Sequence, residues 1–265
     1  MDANLTLAGE LAACFADPLR FVLFAFPWGE QPDTKLVELQ EPWRSRYPGC
    51  RYGPDKWACQ LLDDIGAEVR KNAFDGRHAV PPLKYAVSSG HGIGKSALTA
   101  WLVCWVMATR PNCKGIVTAT TANQLETKTW AEIQKWMKKS IVADLFDIQA
   151  TSIRAKESPE SWRVDAITCK EENAEAFAGQ HAASSTPFYV FDEASGVPDA
   201  IFEVAEGGLT DGEPMMFLFG NPTRNSGRFF NCFHRQSRFW NLRKIDSRTV
   251  AITNKRQIEE WKNEY

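Results

Sequence analysis

The stretch from Lys84 to Ser96, KYAVSSGHGIGKS, constrains this chain more than any other. A short apolar strand (Tyr85, Ala86, Val87) enters a glycine-rich turn. The turn ends in Gly94-Lys95-Ser96, and an apolar segment from Ala97 to Met107 follows at once. Strand, glycine loop, Lys-Ser and helix in that order build a phosphate-binding loop. Gly90, Gly92 and Gly94 let the backbone turn its N–H groups inward and approach phosphates closely. The N-terminus of the following helix adds partial positive charge. Lys95 can reach the β- and γ-phosphates, and the Ser96 hydroxyl can ligate Mg²⁺. Ser89, Gly90, His91, Gly92, Ile93, Gly94, Lys95, Ser96 and Ala97 are therefore expected to bind nucleotide. The usual pattern G-x-x-x-x-G-K-[ST] begins with glycine, and here Ser89 stands in that position.

The rest of the chain agrees with an α/β reading. At 265 residues, with 44% apolar content and ten tryptophans, the chain can bury a sizeable core. Pro18 is expected to divide an N-terminal helical region, residues 4–26, into two pieces. Residues 27–54 are rich in Pro, Gly, Trp and Arg and read as a long loop packed by its own aromatics. A helix follows from Lys56 to about residue 71. The loop strand is expected at 83–88, its helix at 95–109, a second strand at 115–120 and a helix from Thr121 to about 139. That alternation points to right-handed βαβ units and a mostly parallel sheet. Residues 140–160 read as irregular or short helix, and Trp162–Cys169 as a strand. Pro187–Phe191 and Pro214–Phe219 are wholly apolar, as strands buried on both faces are. Residues 224–256 read only as mixed basic and aromatic. The expected organisation is one domain over 1–265: an extension to about residue 80, an α/β core over 81–250, and the start of a linker helix over 251–265.

Two further motifs carry chemistry. Asp192-Glu193 ends an apolar strand, where ligand sites in open α/β sheets lie. Asp192 is expected to serve the metal together with Ser96, and Glu193 to orient and deprotonate a water. Phosphoanhydride hydrolysis is mostly positioning and charge neutralisation, so few groups suffice. Gly220-Asn221-Pro222-Thr223 follows the second apolar strand. P-loop ATPases with a catalytic glutamate (the RecA-like group) place one extra strand between the loop strand and the Asp-Glu strand. In that slot Asn221 is the expected γ-phosphate sensor. The predicted catalytic set is thus Glu193, Lys95 and Asn221.

Taken together, Trp57 with Gln60, S-S-G-H-G-I-G-K-S, V-T-A-T-T-A-N-Q, F-Y-V-F-D-E, F-G-N-P-T and the FAFPWG stretch at 24–29 resemble the ATPase half of the large subunit of tailed-phage terminases. The resemblance covers about residues 20 to 250. It implies an ATP-hydrolysing motor that moves double-stranded DNA into a procapsid. ATP and Mg²⁺ are the implied ligands, and portal protein and the terminase small subunit the implied partners. The resemblance further implies a homo-oligomeric ring when assembled on the portal, a monomer being the alternative in isolation, and a place in the host cell cytoplasm. Trp57 and Gln60 would then lie on the adenine side, Gln60 reading the base, and Asn221 and Thr223 would belong to the coupling motif.

Two departures stand out. His91 occupies a loop position where the family often has arginine, so Arg163, Arg224 and Arg228 become the candidates for the transition-state arginine. The family also continues into an RNase H-like nuclease, which needs a carboxylate cluster. After Asn221 the chain offers only Asp246, Glu259, Glu260 and Glu264, so the expectation is a motor domain without the nuclease.

The net charge of −2 neither requires nor excludes a nucleic-acid partner. Contact with DNA would need a local patch, and Arg235, Arg238, Arg243 and Lys244, interleaved with Phe229, Phe230, Phe233, Phe239 and Trp240, are the candidates. Seven scattered cysteines with no C-x-x-C fit a reduced compartment, and no apolar run is long enough to span a bilayer. Two rival readings remain at this level. One is another nucleic-acid-stimulated, helicase-like ATPase. The other is a nucleotide-binding switch or assembly module with negligible hydrolysis.

Overall fold

A computed structural model describes residues 3–34 and 37–264. Its centre is an eight-stranded sheet. In chain order the strands are β1 (Leu83–Ser89), β2 (Lys114–Thr118), β3 (Phe146–Ile148), β4 (Ser152–Ala155), β5 (Arg163–Ala166), β6 (Pro187–Phe191), β7 (Met215–Gly220) and β8 (Asn241–Ile245). Across the sheet the order is β8-β1-β7-β6-β2-β5-β4-β3. The six strands from β8 to β5 are parallel, and the β4–β3 hairpin adds antiparallel strands at one edge. The fold is α/β, as the motifs imply. The extra strand β7 lies between β1 and β6, in the slot foreseen for it.

The two faces of the sheet separate by alternation, because successive side chains of a strand point to opposite sides. Tyr85, Val87, Val117, Phe188, Val190, Met215, Phe217 and Phe219 belong to one core. Ala86, Ile116, Tyr189, Phe191, Met216 and Leu218 belong to the other. The first core is the larger and lies under the helices α1 (Ala3–Ala13), α2 (Pro18–Ala25), α3 (Lys56–Asn72), α4 (Lys95–Thr109) and α5 (Ala131–Lys139). The second lies under α6 (Asp199–Gly207) and α7 (Gly227–Cys232). Every residue of α4 from Leu98 to Thr109 is buried, which is why its sequence is apolar all round.

Pro18 begins α2 rather than interrupting it. It occupies the first turn, where a missing N–H costs nothing, and Asp17 caps the helix by accepting the Arg20 N–H at 2.9 Å.

Three expectations are corrected. Residues 146–155 form the β3–β4 hairpin instead of irregular or helical chain. The basic-aromatic region contains β8, which pairs in parallel with β1. The loop over 27–54 is not packed only by its own aromatics: Trp28 meets helices α4 and α5, and Trp43 donates its indole N–H to Asp63 of α3 at 2.6 Å. Phe26 and Trp28 meet Trp136 of α5 at centroid distances of 5.0 and 5.4 Å, and Trp28 meets Trp101 of α4 at 5.4 Å. The FAFPWG stretch therefore braces the helix that follows the phosphate loop. No helix among the described residues is long and apolar enough to cross a membrane.

Candidate active site

Of the predicted site residues, the phosphate loop with Lys95, Asn221 and Asp192-Glu193 lie together at the C-terminal ends of β1, β7 and β6. The phosphate loop leaves β1 with Gly92 and Gly94 at φ of 71° and 88°, left-handed values that a side chain would strain. Trp57, from the first turn of α3, donates its indole N–H to the Ile93 carbonyl at 3.1 Å and so braces the loop from behind.

Lys95 is only 8% exposed. Its ammonium donates to three acceptors: Ser89 Oγ at 3.1 Å, Gly90 O at 2.8 Å and Asn221 Oδ1 at 2.6 Å. Three donors meet three acceptors, so the charge is fully hydrogen-bonded within the protein. Burial lowers its pKa, and the nearby Glu193 and Asp192 carboxylates oppose that shift. The serine that replaces the usual first glycine thus supplies one of the lysine's acceptors. The Asn221 amide in turn donates to the His91 ring, 2.7 Å from Nε2. Asn221 is buried, and His91 is exposed above it.

The acidic end lies at the tip of β6. Asp192 is 5% exposed. Its Oδ2 accepts the Thr129 hydroxyl at 2.6 Å and its Oδ1 accepts the Glu193 N–H at 3.0 Å. Glu193 itself has φ 50° and ψ 40°, a left-handed conformation uncommon for a residue with a side chain. Its carbonyl accepts the Thr120 hydroxyl at 3.0 Å. The backbone of Glu193 is therefore held on both sides, while its side chain is half-buried. Beyond the pair, Ser195 and Thr223 hydroxyls are 2.9 Å apart and tie the turn after β6 to the loop after β7. A cavity of about 520 Å³ opens beside the loop, lined by Ser89, Gly90, His91, Asn221, Thr223 and Lys244 among others.

The remaining candidates divide. Gln60 is exposed on α3, one turn beyond Trp57. Trp57 serves the loop backbone, and its ring is buried, 7% exposed. Arg163 opens β5 opposite Lys114, at the far end of the parallel strands from the phosphate loop, and is bonded to Asp165. Arg228 is paired with Glu206 at 3.1 Å. Arg224 is exposed, follows the Asn221 loop and makes no ion pair among the described residues.

The basic run also changes character. In the sequence Asp246 is its only acid up to Arg256, but the fold brings others to it. Arg243 pairs with Asp64 of α3 and Arg248 with Asp246. Arg235, Arg238 and Lys244 are exposed and make no ion pair among the described residues.

Sequence reasoning missed Thr120, Thr129 and Ser195, and it missed a strap. Residues 247–252 cross the phosphate loop, anchored where Asp55 Oδ2 accepts the Ala251 N–H at 2.6 Å. The fit is tight: a Cβ at Gly90 would stand 2.5 Å from Ser247 Oγ.

The donor set suits magnesium. Ser96 and Asp192 offer hard oxygens, and Mg²⁺ prefers one or two carboxylates completed by phosphate oxygens and water. Among the described residues no group of three or more His, Cys, Asp and Glu is placed to hold a metal alone.

With this geometry the structural relatives become interpretable. The large terminase of bacteriophage HK97 matches at a TM-score of 0.56 and 12% identity, over 94% of this chain and 52% of that one. The ATPase domain of the Thermus phage P74-26 large terminase matches at 0.52 and 14%, over 86% and 92%. The fold is that of a phage large-terminase ATPase domain. The large terminase of another thermophilic bacteriophage, in complex with ADP, has the same fold, at a TM-score of 0.52 and 15% identity, over 69% of this chain and 45% of that one. In sequence, the chain is 31% identical over 155 residues to a probable terminase large subunit of Enterobacteria phage P7. That match spans 57% of this chain and 31% of the relative's length. No protein-family model matches the chain.

Proposed function

We propose that this chain is the ATPase part of a phage DNA-packaging motor, hydrolysing ATP with Mg²⁺ to drive double-stranded DNA into a procapsid. The observation that carries the reading is the strand order β1-β7-β6. It lines up Lys95, Asn221 and Asp192-Glu193 across three adjacent strand ends, next to the phosphate loop.

The roles follow from position. Lys95 exchanges its protein acceptors for phosphate oxygens, and Ser96 and Asp192 are the residues that would hold Mg²⁺. Bound, the ion would neutralise charge on the β- and γ-oxygens. Glu193 orients the attacking water and takes its proton. Asn221, released from Lys95, faces the γ-phosphate, and Thr223 carries its position to the neighbouring turn through Ser195. Gln60, exposed next to the Trp57 brace, is the adenine reader.

Arg224, exposed and without an ion-pair partner among the described residues, is the arginine offered to a neighbouring subunit's nucleotide. Arg163 and Arg228 are bound to Asp165 and Glu206. Arg235, Arg238 and Lys244 form the DNA-facing set, whereas Arg243 is occupied by Asp64. Portal protein, small subunit and a homo-oligomeric ring in the host cytoplasm complete the reading. The chain acts within it as a single ATPase domain, with α8 (Lys255–Glu264) outside the α/β core.

The test is phosphate release with Mg-ATP by the wild type and by Glu193→Gln. Removing a positioned general base costs on the order of 10³-fold in turnover. Nucleotide binding, measured by calorimetry, should survive. Undiminished turnover in the variant would sink the assignment. A wild-type rate per subunit that rises with protein concentration would support catalysis shared across a ring interface.

A further inference from the structure

The strongest signal outside the predicted set is Thr129. It lies in a π-helical turn, Leu125–Trp130, between the short α-helical turn Ala122–Gln124 and α5. Such turns are rare, widen the helix by one residue and recur at functional sites. Within this turn Thr129 and Trp130 are both buried. Trp130 donates its indole N–H to Gln149 O at 3.3 Å, and Thr129 donates to Asp192 Oδ2 at 2.6 Å. Thr129 is 1% exposed. An apolar residue would satisfy such a burial without a hydroxyl that needs a partner. The carboxylate takes one donor on each oxygen, the Thr129 hydroxyl on Oδ2 and the Glu193 N–H on Oδ1.

We propose that Thr129 is a positioning residue for the metal-binding carboxylate. It fixes the plane of Asp192, so that the free lone pairs of that carboxylate face one direction only. The segment beginning at Thr120 then holds the acidic pair at two points, Thr120 on the Glu193 carbonyl and Thr129 on the Asp192 side chain. This rests on the reading of Asp192 and Ser96 as the magnesium residues. Partners that orient a metal-binding carboxylate typically change metal affinity about 10- to 100-fold when removed.

The experiment compares wild type, Thr129→Val and Thr129→Ser. Affinity for a non-hydrolysable ATP analogue is measured by calorimetry with and without Mg²⁺, and Mn²⁺ binding to the nucleotide complex by electron paramagnetic resonance. Valine keeps the shape and removes the donor; serine keeps the donor.

The expected result is a roughly tenfold or greater loss of metal affinity in Thr129→Val, with metal-free nucleotide affinity unchanged and Thr129→Ser close to wild type. Equal metal affinity in Thr129→Val and wild type overturns the inference. Equal losses with and without metal also overturn it, because they mark a purely structural role. If the wild type gains nothing from metal, it is the assignment of Asp192 and Ser96 that fails, and this inference falls with it.

Discussion

The two ends of the candidate catalytic row are held by different kinds of bond. At the lysine end, Lys95 is tied by its own ammonium to Ser89, Gly90 and Asn221. Each of those bonds can be traded for one to a phosphate oxygen. At the acidic end, Asp192 and Glu193 are held by the Thr129 and Thr120 hydroxyls and by the Glu193 N–H. A nucleotide phosphate cannot replace those donors, because an anion does not donate to an anion. The lysine end is thus built to change partners, and the acidic end is built to stay.

The exchange at Lys95 has a consequence along β7. On the proposed reading Asn221 Oδ1 would lose its bond to Lys95, and Thr223 two residues on is bonded to Ser195. The proposed reading would thus link nucleotide binding to the turn after β6 through Asn221, Thr223 and Ser195.

Asn221→Ala should break this arrangement most. Loss of one polar group aimed at the transferring phosphate typically costs about 10²-fold in turnover. Nucleotide affinity should hold or rise, since the lysine loses a competing acceptor. Parallel turnover and binding measurements separate the two. A fall in affinity as steep as the fall in turnover would show that Asn221 organises binding and not the chemical step.

A smaller effect tests the fixed end. Glu193 is left-handed at φ 50°, and the strain belongs to any residue with a Cβ. Both Glu193→Ala and Glu193→Gly should abolish turnover. Only glycine should relieve the backbone, by about 1 kcal/mol after its larger unfolded-state entropy is subtracted. For a chain of this size that is about 2 °C in melting temperature. Equal melting points for the two variants would remove strain from the account.

The same contrast explains what could be read from the chain. The central strands were legible because β6 and β7 are buried on both faces and hence uniformly apolar. The β1-β7-β6 order was expected from the group of P-loop ATPases that Asp192-Glu193 and Asn221 resemble. The edges were not legible. β8 reads Asn-Leu-Arg-Lys-Ile, and its charges hide a strand that is only partly covered. The β3–β4 hairpin has strands of three and four residues, too short for a period to show. The charge run was only partly legible, because Asp64 and Glu206 reach it from distant segments and pair with Arg243 and Arg228. Thr129 was invisible because its partner lies 63 residues away and the π turn breaks the helical period that would have placed it.

The smallest effect is the most discriminating for the movable end. Ser89→Gly restores the glycine usual at the start of the loop and removes one acceptor from Lys95. A hydrogen bond to a charged group contributes about 1.5 kcal/mol or somewhat more, and about 1 kcal/mol is a cautious figure for this hydroxyl. If nucleotide must displace that bond, the variant should bind ATP up to about fivefold more tightly and unfold at a slightly lower temperature. If the bond persists when phosphate arrives, affinity should stay level or fall. Calorimetry on the two proteins decides between these outcomes. A tighter variant would show that the resting hydrogen bonds of Lys95 compete with substrate, whereas a weaker one would make Ser89 part of the cradle itself.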